Sequence, residues 1–152
     1  MLIHVNKSGI LASLVLTGGL ILAGCTSAPV ARGTAGGHVS ACPSSPNCVS
    51  SFESNSGKKI DPLAFRGSET AAMDKLRSVL RLRTDSKIVR EKGNYLQVEF
   101  STKVMGFVDD AEFLVQGDNI QMRSASRVGY SDFGKNRARL EEIRSAFQPC
   151  CN

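Results

Sequence analysis

A band of basic and small polar residues near the end of the chain is the part of the sequence best suited to chemistry. The candidate binding residues are Arg123, Ser124, Ser126, Arg127, Asn136 and Arg137. The first four lie in the last part of a predicted strand and just after it, and the last two lie at the start of a predicted helix. The loop between the two elements contains Gly129 and Gly134. Guanidinium groups beside the exposed N–H groups of a helix start can bind a phosphate or a carboxylate. The band therefore predicts a site for an anionic small molecule or for an acidic group of a partner protein.

The same arginines have potential partners within the chain. In the hairpin predicted for residues 107–126, Glu112 lies opposite Arg123, and Asp110 lies diagonal to both Arg123 and Arg127. Opposite charges on neighbouring strands pair with one another, so Asp110 and Glu112 are predicted to form a structural charge ladder with the two arginines. The ladder and the ligand site are alternative interpretations of the same residues. The ladder carries more weight, because ion-pair networks also concentrate charge.

The acidic residues of this hairpin could instead be metal ligands or paired carboxylates for acid–base catalysis. Strand alternation opposes that interpretation, since Asp109 points to the face opposite Asp110 and Glu112. A carboxylate metal site needs several oxygens that converge on one point. We therefore expect no metal and no cofactor.

Histidine is scarce, and this limits the catalytic arrangements that the sequence can form. Beyond the first 24 residues, His38 is the one histidine, and it lies in a predicted tether. Pairs of histidine with a serine or cysteine nucleophile are therefore not expected in the folded domain, and no catalytic residue is assigned. The alternative is a histidine-independent enzyme that acts on an envelope substrate, with Asp109 or Asp110 as the acid and Arg127 as an electrophilic helper.

The first 25 residues resemble the signal of a bacterial lipoprotein. A short polar start with Lys7 precedes an apolar run over residues 10–23, and the run ends in Leu-Ala-Gly before Cys25. Such a run is too short for a comfortable membrane span but suits a signal peptide. Residues 1–24 are therefore predicted to be removed and Cys25 to be lipidated. Residues 25–41, which are small and Gly-rich, are predicted to form a flexible tether.

The other cysteines are predicted to be oxidised in that compartment. The candidates are Cys42, Cys48, Cys150 and Cys151, an even number once Cys25 carries lipid. A bridge between Cys42 and Cys48 would close a short loop. A bridge from the N-terminal loop to Cys150 would instead join the ends of the domain, and the sequence leaves both pairings open.

Residues 42–152 are predicted to form a single α+β domain. Apolar residues recur at helical spacing in a helix of about four turns after Ser68, and again over residues 135–147. The predicted strands between them are residues 87–91, 95–101, 107–116 and 119–126. The predicted fold is a four-stranded antiparallel meander sheet with two helices packed on one face, preceded by a Cys-containing loop.

Several separated motifs resemble one family of bacterial proteins, the domain-of-unknown-function family fourteen-ninety-nine. The motifs are CPSSPNCVSS (42–51), IDPL (60–63), GFVDDAEF (106–113), RSASRVGYSDFG (123–134) and NRARL (136–140). The likeness covers about residues 42–147. It implies an envelope-associated domain, and it implies no reaction.

Together these features predict a lipid-anchored protein on the periplasmic face of the outer membrane. Thr26 rather than aspartate follows Cys25, which by resemblance to Gram-negative lipoprotein sorting favours the outer membrane. We expect the protein to bind an anionic small molecule or an envelope protein without catalysis, and a structural adaptor is a further alternative. The formal net charge of +5 is dispersed and no aromatic-basic motif occurs, so nucleic acid is not an expected partner.

Overall fold

The computed structural model describes residue 34, residues 36–102 and residues 105–148. Its strands are β1 (Cys48–Ser50), β2 (Leu63–Ala64), β3 (Ser86–Lys92), β4 (Tyr95–Ser101), β5 (Val108–Gln116) and β6 (Asn119–Ser126), and its helices are α1 (Glu69–Arg81) and α2 (Lys135–Phe147). The leader, Cys25, most of the predicted tether, Cys150 and Cys151 lie outside the described residues. In the described part of the chain, neither helix has the length and apolar character needed to span a membrane.

The chain forms one antiparallel sheet and two helices, which confirms the predicted α+β class. The strands lie in the order β1-β6-β5-β4-β3, and β2 also pairs with β6. Strands β3 to β6 form the predicted meander of two hairpins. Their turns contain Gly93 and Gly117, both at positive φ, where glycine is favoured because it has no Cβ.

The register of the second hairpin is the one predicted from its two-residue turn. Val115 lies opposite Ile120, and Glu112 lies opposite Arg123. Because side chains alternate along a strand, the apolar pair points toward the helices and the charged pair points away from them. A slip of one residue would exchange the two sets of side chains.

The predicted number of strands is wrong, because two short strands extend the sheet from four to six. β1 and β2 lie along the same side of β6, with Cys48 opposite Ala125 and Leu63 opposite Ile120. Strands of three and two residues are too short to show alternation in a sequence. They pair with backbone groups of β6 that would otherwise form an open edge.

Both helices pack on one face of the sheet, which we call the helix face. The core on this face contains Met73, Leu76, Leu80, Leu96, Val98, Phe100, Phe113, Val115, Ile120, Met122, Leu140 and Ile143. Helix α1 begins after Ser68, as predicted, and the Ser68 Oγ accepts a hydrogen bond from the Ala71 N–H at 3.2 Å. A cap of this kind stabilises a helix by about 1 kcal/mol.

The opposite face of the sheet is covered by residues 38–41, which we call the strap. Val39 is fully buried in a small apolar cluster with Tyr95 and Leu114. We call this side of the sheet the strap face. The sequence analysis places all of residues 25–41 in the tether, whereas the structure packs its last residues on the domain because Val39 finds an apolar partner there.

His38, at the start of the strap, also contacts the domain. Its ring stacks on Phe52 with the ring centroids 3.8 Å apart. Its Nδ1 lies 3.0 Å from the carbonyl oxygen of Val39. The histidine that the sequence analysis places in the tether is therefore held against the domain by a ring contact.

The strap is followed directly by a disulfide between Cys42 and Cys48, one of the two pairings that the sequence leaves open. Its loop spans a sequence separation of 6 and ends in β1. The bridge therefore ties the end of the strap to the edge of the sheet.

Replacing both Cys42 and Cys48 by alanine is expected to lower the free energy of unfolding by about 2 kcal/mol, because the bridge restricts a short loop of the unfolded chain. Urea unfolding of the two proteins measures the difference. Peptide mapping without reductant identifies the bridged residues, and a bridge from either cysteine to Cys150 would contradict this pairing.

Candidate functional site

The centre of the strap face is a buried ion pair between Glu112 and Arg123. The Oε2 of Glu112 lies 3.4 Å from an Arg123 terminal nitrogen, and both side chains have almost no exposed surface. The other oxygen of Glu112 accepts hydrogen bonds from the Tyr95 hydroxyl at 2.8 Å and from the Ser40 hydroxyl at 2.9 Å. The Arg123 Nε donates to the carbonyl oxygen of Ala41 at 3.3 Å. The strap thus closes over the pair and supplies two of its hydrogen bonds.

A second ion-pair group lies beside it on the strap face. The Arg127 guanidinium donates two hydrogen bonds to the Asp110 carboxylate, both at 2.8 Å, and also pairs with Glu99. Asp110 is fully buried. Its hydrogen bonds are the main reason why the pKa of Arg127 is raised above its usual value, against the opposing effect of desolvation. Arginine is protonated at any ordinary pH, and the pairing with Asp110 reinforces the charge of Arg127.

The helix face carries a separate polar network, centred on Arg139 of α2. One terminal nitrogen of Arg139 donates to the Asp109 carboxylate at 2.6 Å, and the guanidinium lies 4.7 Å from the centre of the Phe100 ring. The other terminal nitrogen donates to Asn136 at 3.1 Å. Sequence analysis did not assign a role to Arg139. Strand alternation had placed Asp109 on the face opposite Asp110 and Glu112, and a buried carboxylate on the helix face requires a cation from one of the helices.

Asn136 is the hub of the same network. Its Oδ1 accepts from the Ser124 hydroxyl at 2.5 Å, and its Nδ2 donates to the Ser126 hydroxyl at 3.1 Å and to the carbonyl oxygen of Asn47 at 3.0 Å. Asn136 and Ser124 are fully buried. The network joins α2 to β6 and to the residue before β1.

The start of α2 already holds an anion, the carboxylate of Asp132. Its two oxygens accept from the backbone N–H of Gly134 at 3.2 Å and from the N–H and side-chain amide of Asn136, both at 2.8 Å. These are the donors that would bind a phosphate or a carboxylate from solution. An internal side chain therefore takes the position that the sequence analysis gives to a ligand.

The structure does not bring the candidate binding residues together at one point. Arg123 and Arg127 lie on the strap face, whereas Ser124 and Ser126 of the same strand lie on the helix face, because neighbouring side chains of a strand alternate. Arg137 donates to the backbone oxygen of Gly57 at 3.1 Å. This arrangement favours the charge ladder, with Asp110 and Glu112 as its acids, over a ligand site.

Within the described ranges, the structure offers no metal site and one surface groove of note. No group of three or more histidine, cysteine or acidic side chains there could hold a metal ion. A surface groove of about 470 Å³ lies between β3 and the end of α1, lined in part by Ile88, Arg90 and Glu91. β3 is an edge strand with an irregular register between Ile88 and Arg90, a feature that discourages pairing with another chain.

One end of the sheet exposes large apolar side chains, and we call it the apolar end. Its exposed residues are Met105, Phe107, Val128, Tyr130 and Phe133. They lie in the loop before β5 and in the loop after β6. These loops leave the sheet side by side, since the Arg127 N–H donates to the Val108 carbonyl oxygen at 3.1 Å. Sequence analysis treated the second loop only as a source of polar groups and missed this surface.

Phe133 is the most exposed of these residues, with 94% of its surface accessible. Its φ of 52° is positive, and among the described residues it is the one non-glycine residue with this property. For a residue with a Cβ this conformation costs about 1–2 kcal/mol. Phe133 thus combines a strained backbone with an exposed ring that contributes nothing to the core, and strained residues are found preferentially at functional positions.

Comparison with known proteins gives a match to a family model. A family model described as a protein of unknown function (DUF1499) matches residues 38–147. No curated protein and no solved structure matches the chain. The matched range begins at the strap and ends with α2, and so it coincides with the folded domain.

Proposed function

Since the chain belongs to the DUF1499 family of proteins of unknown function, we propose its function from the geometry. It is a lipid-anchored envelope protein that acts by contact, without catalysis, and its contact surface is the apolar end. The observation that carries this proposal is the exposure of Tyr130 and Phe133, at 78% and 94% of their surface. Exposed apolar patches on small domains are typical of interaction sites.

The engagement of the polar residues supports contact rather than catalysis. A catalytic acid or nucleophile must reach a substrate, but Asp109, Asp110 and Glu112 are buried and each pairs with an arginine. These pairs hold strands and helix together. The apolar side chains of the two loops, in contrast, have large exposed surfaces.

The sequence around Cys25 supports the anchor. An acyl chain contributes about 0.8 kcal/mol per buried CH₂, so several chains attach a protein durably to a membrane. The tether between Cys25 and the strap gives the domain freedom to present its apolar end. We place the protein on the periplasmic face of the outer membrane, on the basis of Thr26.

Two measurements on cells that produce the full chain test this proposal. Intact mass analysis should find a mature protein that begins at an acylated Cys25, and a Cys25→Ala variant should lose the acyl mass. A photo-reactive phenylalanine analogue at position 133 should form an adduct in the cell. The same analogue at Thr70 is the matched control and should form none, because Thr70 is exposed at the start of α1, beside the β5–β6 turn at the opposite end of the sheet.

The two halves of the proposal fail separately. A mature protein with an unmodified Cys25 would contradict the anchor. Equal adducts, or no adducts, at positions 133 and 70 would contradict a contact surface at the apolar end.

A further inference from the structure

We propose that the apolar end contacts the membrane itself, with Tyr130 and Phe133 inserted among the lipid headgroups and the first acyl carbons. This inference rests on the proposed function, because it names the partner of the same surface. The occupant is a phospholipid bilayer, not a second protein.

The residue types of the two loops fit a bilayer interface. Aromatic rings, and tyrosine with its polar hydroxyl in particular, are enriched where the bilayer meets water. Met105, Phe107 and Val128 add apolar surface around them. The surface is built from side chains that tolerate both headgroups and acyl chains, rather than from the concave pocket that a small ligand requires.

The charges of the two loops also fit an anionic surface. Among the described loop residues 105–107 and 128–135, Lys135 is the one cation and is exposed, and Asp132 is the one acid. The Asp132 carboxylate is turned toward the start of α2, where backbone and amide N–H groups surround it. Lysine side chains beside an apolar surface are attracted to acidic lipid headgroups.

The chain length between the anchor and the domain allows the apolar end to reach the bilayer. The strap lies beside Tyr95 and Leu114, at the end of the sheet opposite the apolar end. Residues 25–37 extend at most about 3.3–3.6 Å each, or roughly 45 Å in total. The eight residues of β6 span only about 26 Å at ~3.3 Å per residue. The anchored chain can therefore pass the length of the sheet.

The backbone at the tip favours an outward ring. Phe133 keeps a positive φ between Asp132, whose carboxylate binds the helix start, and Gly134, which is also at positive φ. This local geometry fixes the direction of the Phe133 Cα–Cβ bond, away from the domain surface. Insertion then requires little ordering of the loop, which reduces the entropy cost of binding.

The chain contains no tryptophan, so a single introduced tryptophan reports on its own surroundings. We would reconstitute the full lipidated chain with Phe133→Trp into vesicles of phosphatidylglycerol and phosphatidylcholine that include a brominated lipid. The expected result is a blue-shifted emission from Trp at this site that the brominated lipid largely quenches. The control variant Thr70→Trp, at the opposite end of the sheet, should keep the emission of a water-exposed tryptophan, and brominated lipid should quench little of it.

A second variant tests whether the tryptophan introduced at position 133 itself causes the insertion. In a Tyr130→Trp chain, the further change Phe133→Gly removes a ring but relieves the positive φ, so the domain should fold at least as well. Quenching of the reporter at position 130 should nevertheless fall. Unchanged quenching would contradict the insertion of Phe133.

The remaining outcomes separate this inference from the anchor. Emission at position 133 that iodide quenches and brominated lipid does not, in a chain shown to be acylated, would overturn the inference and leave the anchor intact. Emission that is shielded without vesicles would show a protein contact and also overturn it. If Cys25 proves unmodified, vesicle-dependent quenching at position 133 in the same chain would still support the inference, while the anchor would be contradicted.

Discussion

Replacing Glu112 by leucine is expected to lower the free energy of unfolding by about 3–5 kcal/mol, because it leaves the Arg123 charge buried without its carboxylate. The ion pair has almost no exposed surface on either side. Glu112 also accepts hydrogen bonds from the Tyr95 and Ser40 hydroxyls, which would lose their acceptor. A loss of this size is a large part of the stability of a domain. Urea unfolding followed by circular dichroism measures it.

The double variant Glu112→Leu with Arg123→Met is the matched control. Replacing both members of a buried pair by apolar residues of similar size is often neutral or stabilising. We therefore expect the double variant to recover most of the stability that either single variant loses. Additive losses in the double variant would contradict the claim that these two residues serve chiefly each other.

Replacing Arg139 by methionine is also expected to lower the free energy of unfolding by about 3–5 kcal/mol. The change leaves the Asp109 carboxylate, which is 5% exposed, without its cation. It also removes a donor to Asn136 and a cation from the face of the Phe100 ring. Chemical unfolding of purified protein at neutral pH measures the loss.

Arg137 on the same helix supplies the control. It is partly exposed and donates to one backbone oxygen, that of Gly57, so Arg137→Met should change stability by only about 0.5 kcal/mol. Arg139→Lys should recover little, because an ammonium cannot reproduce the planar, two-sided donation of a guanidinium. Equal losses for the two methionine variants would argue against the network around Asp109.

Much of the fold could be predicted from the sequence because its signals are local. Helix α2 occupies the predicted residues, and the tight turn at Gly117 fixes the pairing of β5 with β6. The two strands that the sequence did not predict, β1 and β2, depend on tertiary contacts instead of local signals. β1 and β2 exist because β6 has an edge to cover, and three residues or two carry no periodicity of their own.

The polar residues illustrate a second limit. Alternation along β6 places Arg123 and Ser124 on opposite faces, and this was available from the predicted register. The hydrogen-bond partners that come from distant parts of the chain could not be predicted from the register. The hydrogen bond from Ser40 to Glu112 spans 72 residues, and the one from Asn136 to Asn47 spans 89. Contacts of that kind depend on tertiary packing.

The apolar end was missed for a different reason. Val128, Tyr130 and Phe133 are scattered among glycine, serine and aspartate, a composition that marks a loop but says nothing about exposure. Met105 and Phe107 lie more than 20 residues earlier in the sequence. Only the pairing of β5 with β6 places the two loops at the same end of the sheet.

The central claim is that Arg123 and Arg127 of the candidate band bind acids of the same chain and are not open to a ligand. The most direct measurement is nitrogen-15 NMR of the arginine Nε–H groups in the mature chain during a titration with inorganic phosphate. We predict that the signals of Arg123 and Arg127 stay in place and exchange slowly with solvent, since both groups are buried and paired. A saturable shift of either signal would contradict the account and restore the anion site.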